Sequence, residues 1–165
     1  MRLSSMADYA VVIMAAAARH CGQARVSAQH LADETGLPAP TVQKLVSKLA
    51  GARLLRAVRG ARGGLMLARP AAAISLADIV EAVEGPIAMA SCSERLRTES
   101  GRHDCTLESG CAVRPHWPLV DAALRAALAG VPLSRLAAPA PVLAQTLTPQ
   151  TLTPQTLTPM LTMSA

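Results

Sequence analysis

A chain of 165 residues is long enough for one ordinary domain with an appended element or tail, and 51% of it is apolar, yet it holds no Phe, one Trp and one Tyr. Its core must be aliphatic, which suits closely packed helices and excludes an aromatic-rich sandwich. The net charge of +5 divides unevenly: up to Arg69, ten Lys or Arg face only Asp8, Asp33 and Glu34, a balance of +7, whereas from Pro70 six basic residues face eight acidic ones, a balance of −2. Seven basic residues and no acid lie between Gly36 and Arg69, an electrostatic footprint for a polyanion.

In chain order, Tyr9, Val12, Ile13, Ala16, Ala17 and His20 recur at helical spacing and predict a first helix with that stripe turned inward, ended by Gly22. The apolar run from Tyr9 to Ala18 also has the shape of an export leader. Asp8 and the interruption at Arg19 and His20 argue against one, and ten residues cannot span a bilayer. The expectation is a cytoplasmic protein, away from membranes, with reduced thiols. Ser27 is placed to cap a short helix from Ala28 to Thr35, with Leu31 and Ala32 buried and Gly36 as its stop. Pro38 and Pro40 then pre-set a helix from Thr41 to Ala50, with Val42, Leu45, Val46 and Leu49 on one face and Gly51 closing it. A short helix, a tight turn and a second helix make the helix-turn-helix pattern.

Leu54, Leu55 and Val58 begin a strand, Leu65 to Leu67 return it, and the glycine-rich tip from Arg59 to Gly64 completes a wing. Ser75 caps a helix from Leu76 to Val83 with Leu76, Ile79, Val80 and Val83 apolar, and Gly85 with Pro86 ends it. A last helix from Trp117 to Leu128 carries Val120, Leu124, Ala127 and Leu128, a stripe with no evident partner left in the chain, so a two-fold homodimer is expected. Beyond it, Gln-Thr-Leu-Thr-Pro occurs three times, too short a unit to stack and too rich in proline for helix or sheet. The chain thus reads as mainly α with a small β wing. Residues 1–70 form a winged helix-turn-helix, 71–137 a cysteine segment and long C-terminal dimerisation helix, and 138–165 a disordered repeat tail.

Thr41, Gln43, Lys44 and Ser47 lie off the apolar face of the second helix of the helix-turn-helix. Thr41, Gln43 and Lys44 near its start are candidates to read base edges of a double-stranded operator, Gln43 matching adenine and Lys44 guanine. Lys48, Arg53 and Arg56 are placed to grip phosphates, and Arg59 and Arg62 on the wing tip to enter a minor groove. Any one of these could equally be the solvated side of an amphipathic helix or loop; the absence of acids speaks for the group.

Three of four cysteines, Cys92, Cys105 and Cys111, fall within one polar segment, with twelve and then five residues between them. A zinc ribbon needs cysteines in close pairs, whereas thiolates wrapping an iron-sulfur cluster tolerate irregular spacing. Three thiols leave one iron position for His103, Asp104, His116 or a distant acid such as Asp8. A regulatory disulfide or structural zinc site is the alternative. Cys21 stands apart as a small buried hydrophobe. No cysteine, histidine and acid group together at a helix N-terminus, so neither an enzyme nor a small-molecule substrate is expected.

The opening Met1-Arg2-Leu3-Ser4, Tyr9-Ala10-Val11, Leu37-Pro38-Ala39-Pro40 leading to Leu45, the wing from Val58 through Gly64, and Gly85-Pro86 ahead of three cysteines together resemble the Rrf2 family of winged-helix transcription regulators over about residues 1–137. Leu-Pro-Ala-Pro-Thr-Val, Glu-Gly-Pro-Ile-Ala and Cys111-Ala-Val-Arg resemble the regulators of SUF-type iron-sulfur assembly operons within it. The resemblance implies a repressor acting as a homodimer through the C-terminal helix. It also implies a [2Fe-2S] or [4Fe-4S] cluster on Cys92, Cys105 and Cys111, and Arg59 in the minor groove. Leu65 stands where the family usually has an aromatic. Arg114 stands where members with [2Fe-2S] can place a histidine, while Asp8 matches the acid that completes a [4Fe-4S] cluster from the partner's first helix. The four-iron form with Asp8 is therefore favoured.

Overall fold

The computed structural model describes residues 3–20, 25–58, 63–90 and 110–138. The fold is mostly helical with a two-stranded antiparallel wing, as the sequence predicts. Helix α1 (Ser5–Arg19) is capped by the Ser4 hydroxyl, which accepts from the Ala7 amide at 3.2 Å, and Asp8 in its first turn suits the positive end of the helix. Ala10, Ile13, Met14, Ala16 and Ala17 are buried. Val12, expected among them, faces outward at 40% exposure. At 3.6 residues per turn it sits about 100° of rotation from Ile13, beyond the edge of that face.

Helix α2 (Ala28–Thr35) matches its predicted bounds. Ser27 accepts from the His30 amide at 3.0 Å, Leu31 and Ala32 are buried, and Gly36 takes φ 68° to turn the chain toward the next helix. Helix α3 (Ala39–Gly51) starts two residues before the predicted Thr41, because Pro38 occupies the cap and Pro40 falls in the first turn, where a missing N–H costs nothing. Val42, Leu45 and Leu49 are fully buried. Strand β1 (Leu55–Val58) pairs with β2 (Gly64–Leu67), Leu55 opposite Leu67 and Val58 opposite Gly64. Val26 bridges the far edge of β2 through Leu65, whose amide donates to the Val26 carbonyl at 2.7 Å. A Cβ at Gly64 would lie 2.8 Å from the Arg25 Cβ, so only glycine lets these backbones approach.

Helix α4 (Leu76–Glu84) begins with a full capping box: Ser75 accepts from the Asp78 amide at 3.2 Å, and the Asp78 carboxylate accepts from the Ser75 amide at 2.9 Å. Helix α5 (Trp117–Ala129) follows a 3₁₀ turn over Arg114–His116. A short helix α6 (Leu133–Ala137), absent from the sequence reading, then brings Leu133 to zero exposure against α1. The Leu133 amide donates to the Ile74 carbonyl at 2.7 Å, and Leu76 donates to Val131 at 2.9 Å. The main aliphatic core therefore joins Ile13, Leu31, Leu45, Leu54, Ile74, Ile79 and Leu133, crossing position 70. A second, smaller cluster of Ala77, Val80 and Ile87 takes Leu124 and Leu128 against it. Those two residues of α5 were expected to lack a partner within the chain. Helix α4 supplies one, because Leu76, Ala77 and Val80 give it a second apolar side.

Candidate functional site

Burial of Val42, Leu45 and Leu49 fixes which way α3 turns. Gln43 and Lys44 are exposed and Thr41 is half-buried near the start of that helix. The Ser47 hydroxyl is engaged by its own helix, donating to the Gln43 carbonyl at 2.9 Å. Lys48 has a use inside the chain: its ammonium donates to the Val83 carbonyl at 2.9 Å, at the last turn of α4. A cation there answers the negative end of the helix dipole and ties α3 to α4.

Arg53, Arg56 and Arg69 line a cleft of about 670 Å³ between the end of α3 and the wing, its floor made by Ala50, Leu55, Ala57 and Ala68. Arg53 follows α3 with φ 58°, a left-handed conformation usually left to glycine, and its amide donates to the Ala50 carbonyl at 3.0 Å. The Arg56 guanidinium rests on the Met66 sulfur at 3.2 Å, across the register pair of the wing. Arg69 lies 3.6 Å from Asp78. Asp78 offsets Arg69, but residues 36–69 carry no acid of their own, and Arg53 and Arg56 present their charge on the lining of the cleft as an anionic backbone would require. Arg59 and Arg62 at the wing tip lie outside the described residues.

Cys92 and Cys105, like His103, Asp104 and Cys21, also lie outside the described residues; Cys111 lies within them, half-buried and with a free thiol. His116 is exposed in the turn that opens α5. Asp8 is exposed on α1, and among the described residues its carboxylate takes no hydrogen bond or ion pair. The sequence reading missed Asp121. It is the one buried acid among the described residues, 3% exposed, and its Oδ1 accepts from the Met89 amide at 2.8 Å while Oδ2 has no partner. An aspartate among the apolar residues of the first half of α5 was the available signal. Its effect is to hold the chain that leads into the cysteine segment against α5.

Ion pairs fasten the neighbouring helices. Arg125 on α5 grips Glu81 on α4 with two parallel bonds of 2.9 and 3.2 Å, which also raise the affinity of the guanidinium for its proton. Burial works to raise the Asp78 carboxyl, but hydrogen bonds from Ser75 and the charges of Arg69 and Arg125 outweigh it and hold that group below its ordinary range. No helix among the described residues is long and apolar enough to cross a membrane.

The sequence profile of the Rrf2 family, described as iron-dependent transcriptional regulator, matches residues 3–139. An HTH-type transcriptional regulator of Mycobacterium tuberculosis is 38% identical over 53% of this chain, and the match spans 55% of the relative's own length. The solved structure of CymR, the global cysteine regulator of B. subtilis, is similar with a TM-score of 0.62 at 27% identity, covering 83% of this chain and 96% of that one. IscR of T. potens is similar with a TM-score of 0.59 at 27% identity, covering 82% and 85%.

Proposed function

Since the chain belongs to the Rrf2 family of transcription regulators, which are not enzymes, we propose that it is a homodimeric repressor that binds its operator through α3 and the wing and senses an iron-sulfur cluster. Thr41, Gln43 and Lys44 read base edges; Ser47, Arg53 and Arg56 face the phosphates; Arg59 and Arg62 enter the minor groove. Lys48 positions α3 through Val83. The chain works in the cytoplasm on genes of cluster assembly or related stress responses.

The donor set fits a cluster: Cys111 offers a free, half-buried thiol and Asp8 an unengaged carboxylate. Cys92, Cys105 and Cys111 would hold it, with Asp8 from a second copy of the chain and four irons favoured over two. Such a group supplies a link sensitive to iron and oxidants. The observation that carries the reading is the mechanical route from that segment to α3. Asp121 holds Met89 to α5, Arg125 holds α5 to Glu81 of α4, and the Val83 carbonyl of α4 receives Lys48 of α3. Ordering the segment by its own ligands therefore biases the angle at which α3 is presented. Anaerobic purification with visible absorption and iron and sulfide counts tests it. A brown protein is expected; a colourless one that stays iron-free after reconstitution overturns it.

Likeness to the global cysteine regulator supports a second reading, a cluster-free regulator whose cysteines form a redox disulfide or a structural zinc site. Mass analysis under oxidant together with a metal assay distinguishes the two.

A further inference from the structure

Away from the cysteines and from the basic face, three donor atoms meet where the end of α1 lies beside α2. His20 Nε2 is 2.7 Å from Glu34 Oε2, and His30 Nε2 is 3.9 Å from the same oxygen. The two imidazoles stand edge to face with centroids 5.2 Å apart, and one ligand atom from each of the three residues lies within 4.8 Å of the others. His30 and Glu34 share one side of α2 because they are four residues apart, while His20 comes across from α1. A zinc ion about 2.0–2.2 Å from each nitrogen and oxygen would space tetrahedral donors roughly 3.3 Å apart. The observed 2.7 and 3.9 Å lie on either side of that spacing.

The support around Glu34 is of the kind metal ligands need. Its other oxygen, Oε1, is held from behind by Arg19, with Nη2 at 2.6 Å and Nε at 3.2 Å. Hydrogen bonds from His20 and then Arg19 keep the carboxyl below its ordinary range. His30 is more than half exposed, which leaves the remaining coordination positions open to water.

We propose that His20, His30 and Glu34 bind a divalent transition cation of the zinc class, tying the end of α1 to the first helix of the helix-turn-helix. Two imidazoles and a single carboxylate suit zinc, nickel or cobalt and disfavour magnesium and calcium, which take oxygen ligands.

The test is equilibrium dialysis of the full chain, reduced and anaerobic, against Zn²⁺ alone, read by metal analysis and by thermal unfolding. Wild type retains one equivalent more than His30→Ala or Glu34→Gln, and Zn²⁺ raises its Tm by a few degrees more than theirs. Arg19→Ala leaves all three donors but removes the hold on Glu34, and it binds the extra equivalent about 10-fold or more weaker than wild type. Equal retention by wild type and both ligand variants overturns the proposal. Because thiolates also take zinc, the comparison is repeated with Cys92, Cys105 and Cys111 changed to serine. Persistence of the difference assigns it to the imidazole site, and its disappearance overturns the assignment.

Discussion

Helices α3 and α5 are both thirteen residues long, and they satisfy their surfaces in opposite ways. In α3 the apolar residues Val42, Leu45 and Leu49 vanish into the core and the polar ones face out, so the helix is complete within one chain except for a partner of opposite charge. In α5 the one fully buried residue is an acid, Asp121, while Leu119 and Val120 stand 74% and 40% exposed among surface alanines. Its apolar surface calls for a second apolar surface, and a copy of the same helix is the economical supplier. One helix is finished by the fold; the other keeps an apolar side that the proposed dimer would cover.

The sharpest way to break that contrast is to remove a leucine from each. Leu45→Ala should cost about 2–5 kcal/mol in urea unfolding, since it leaves a cavity at a fully buried position. Leu119→Ala should leave the unfolding of dilute monomer within ~0.5 kcal/mol and instead weaken self-association in sedimentation. If both variants unfold alike and both sediment as wild type, the contrast is wrong. Next in size, Asp121→Ala should cost about 1–3 kcal/mol by removing the charged acceptor of the part-buried Met89 amide. On the proposed cluster reading, the same variant should lose iron faster than wild type in a chelator assay, while Asp121→Asn, which keeps an acceptor, should hold it.

Smaller effects separate the two ends of α4. Ser75→Ala removes the capping box and should cost ~1 kcal/mol. In the folded chain Asp78 and Glu34 both hold their protons less tightly than when unfolded. Their contribution to stability is therefore complete above the ordinary carboxyl value of about 4 and disappears as the pH falls through the lower folded values. Ser75→Ala should shrink that loss in an acid titration followed by circular dichroism. The smallest change has the opposite sign. Arg53→Gly relieves a left-handed arginine and should stabilise the fold by ~1 kcal/mol while weakening operator binding at matched salt. A variant that gained stability and kept its affinity would remove Arg53 from the interface.

The winged helix-turn-helix was legible because local rules decide it. Ser27, Gly36, Pro38 and Ser75 mark helix ends by their own chemistry, and the period of Val42, Leu45 and Leu49 points one way only. What was missed depends on distant packing. The partner of Leu124 and Leu128 is an α4 side that shows in the sequence only as alanine and leucine at helix spacing. Val12 and Lys48 took their places from the rotation of whole helices. The cluster of His20, His30 and Glu34 joins residues from two helices, and no spacing rule announces it. Of the proposed cluster ligands, the described residues include Asp8 and Cys111, whose character as free donors matches their residue types.

The seat of Leu133 against α1 bears on how the protein is made. The first helix emerges from the ribosome with Ile13 and Met14 needing cover, and part of that cover is encoded more than a hundred residues later. At ~5–20 residues per second the wait is on the order of ten seconds. During it the nascent chain must carry an exposed greasy helix, which makes this stretch of synthesis the window in which a chaperone has most to offer.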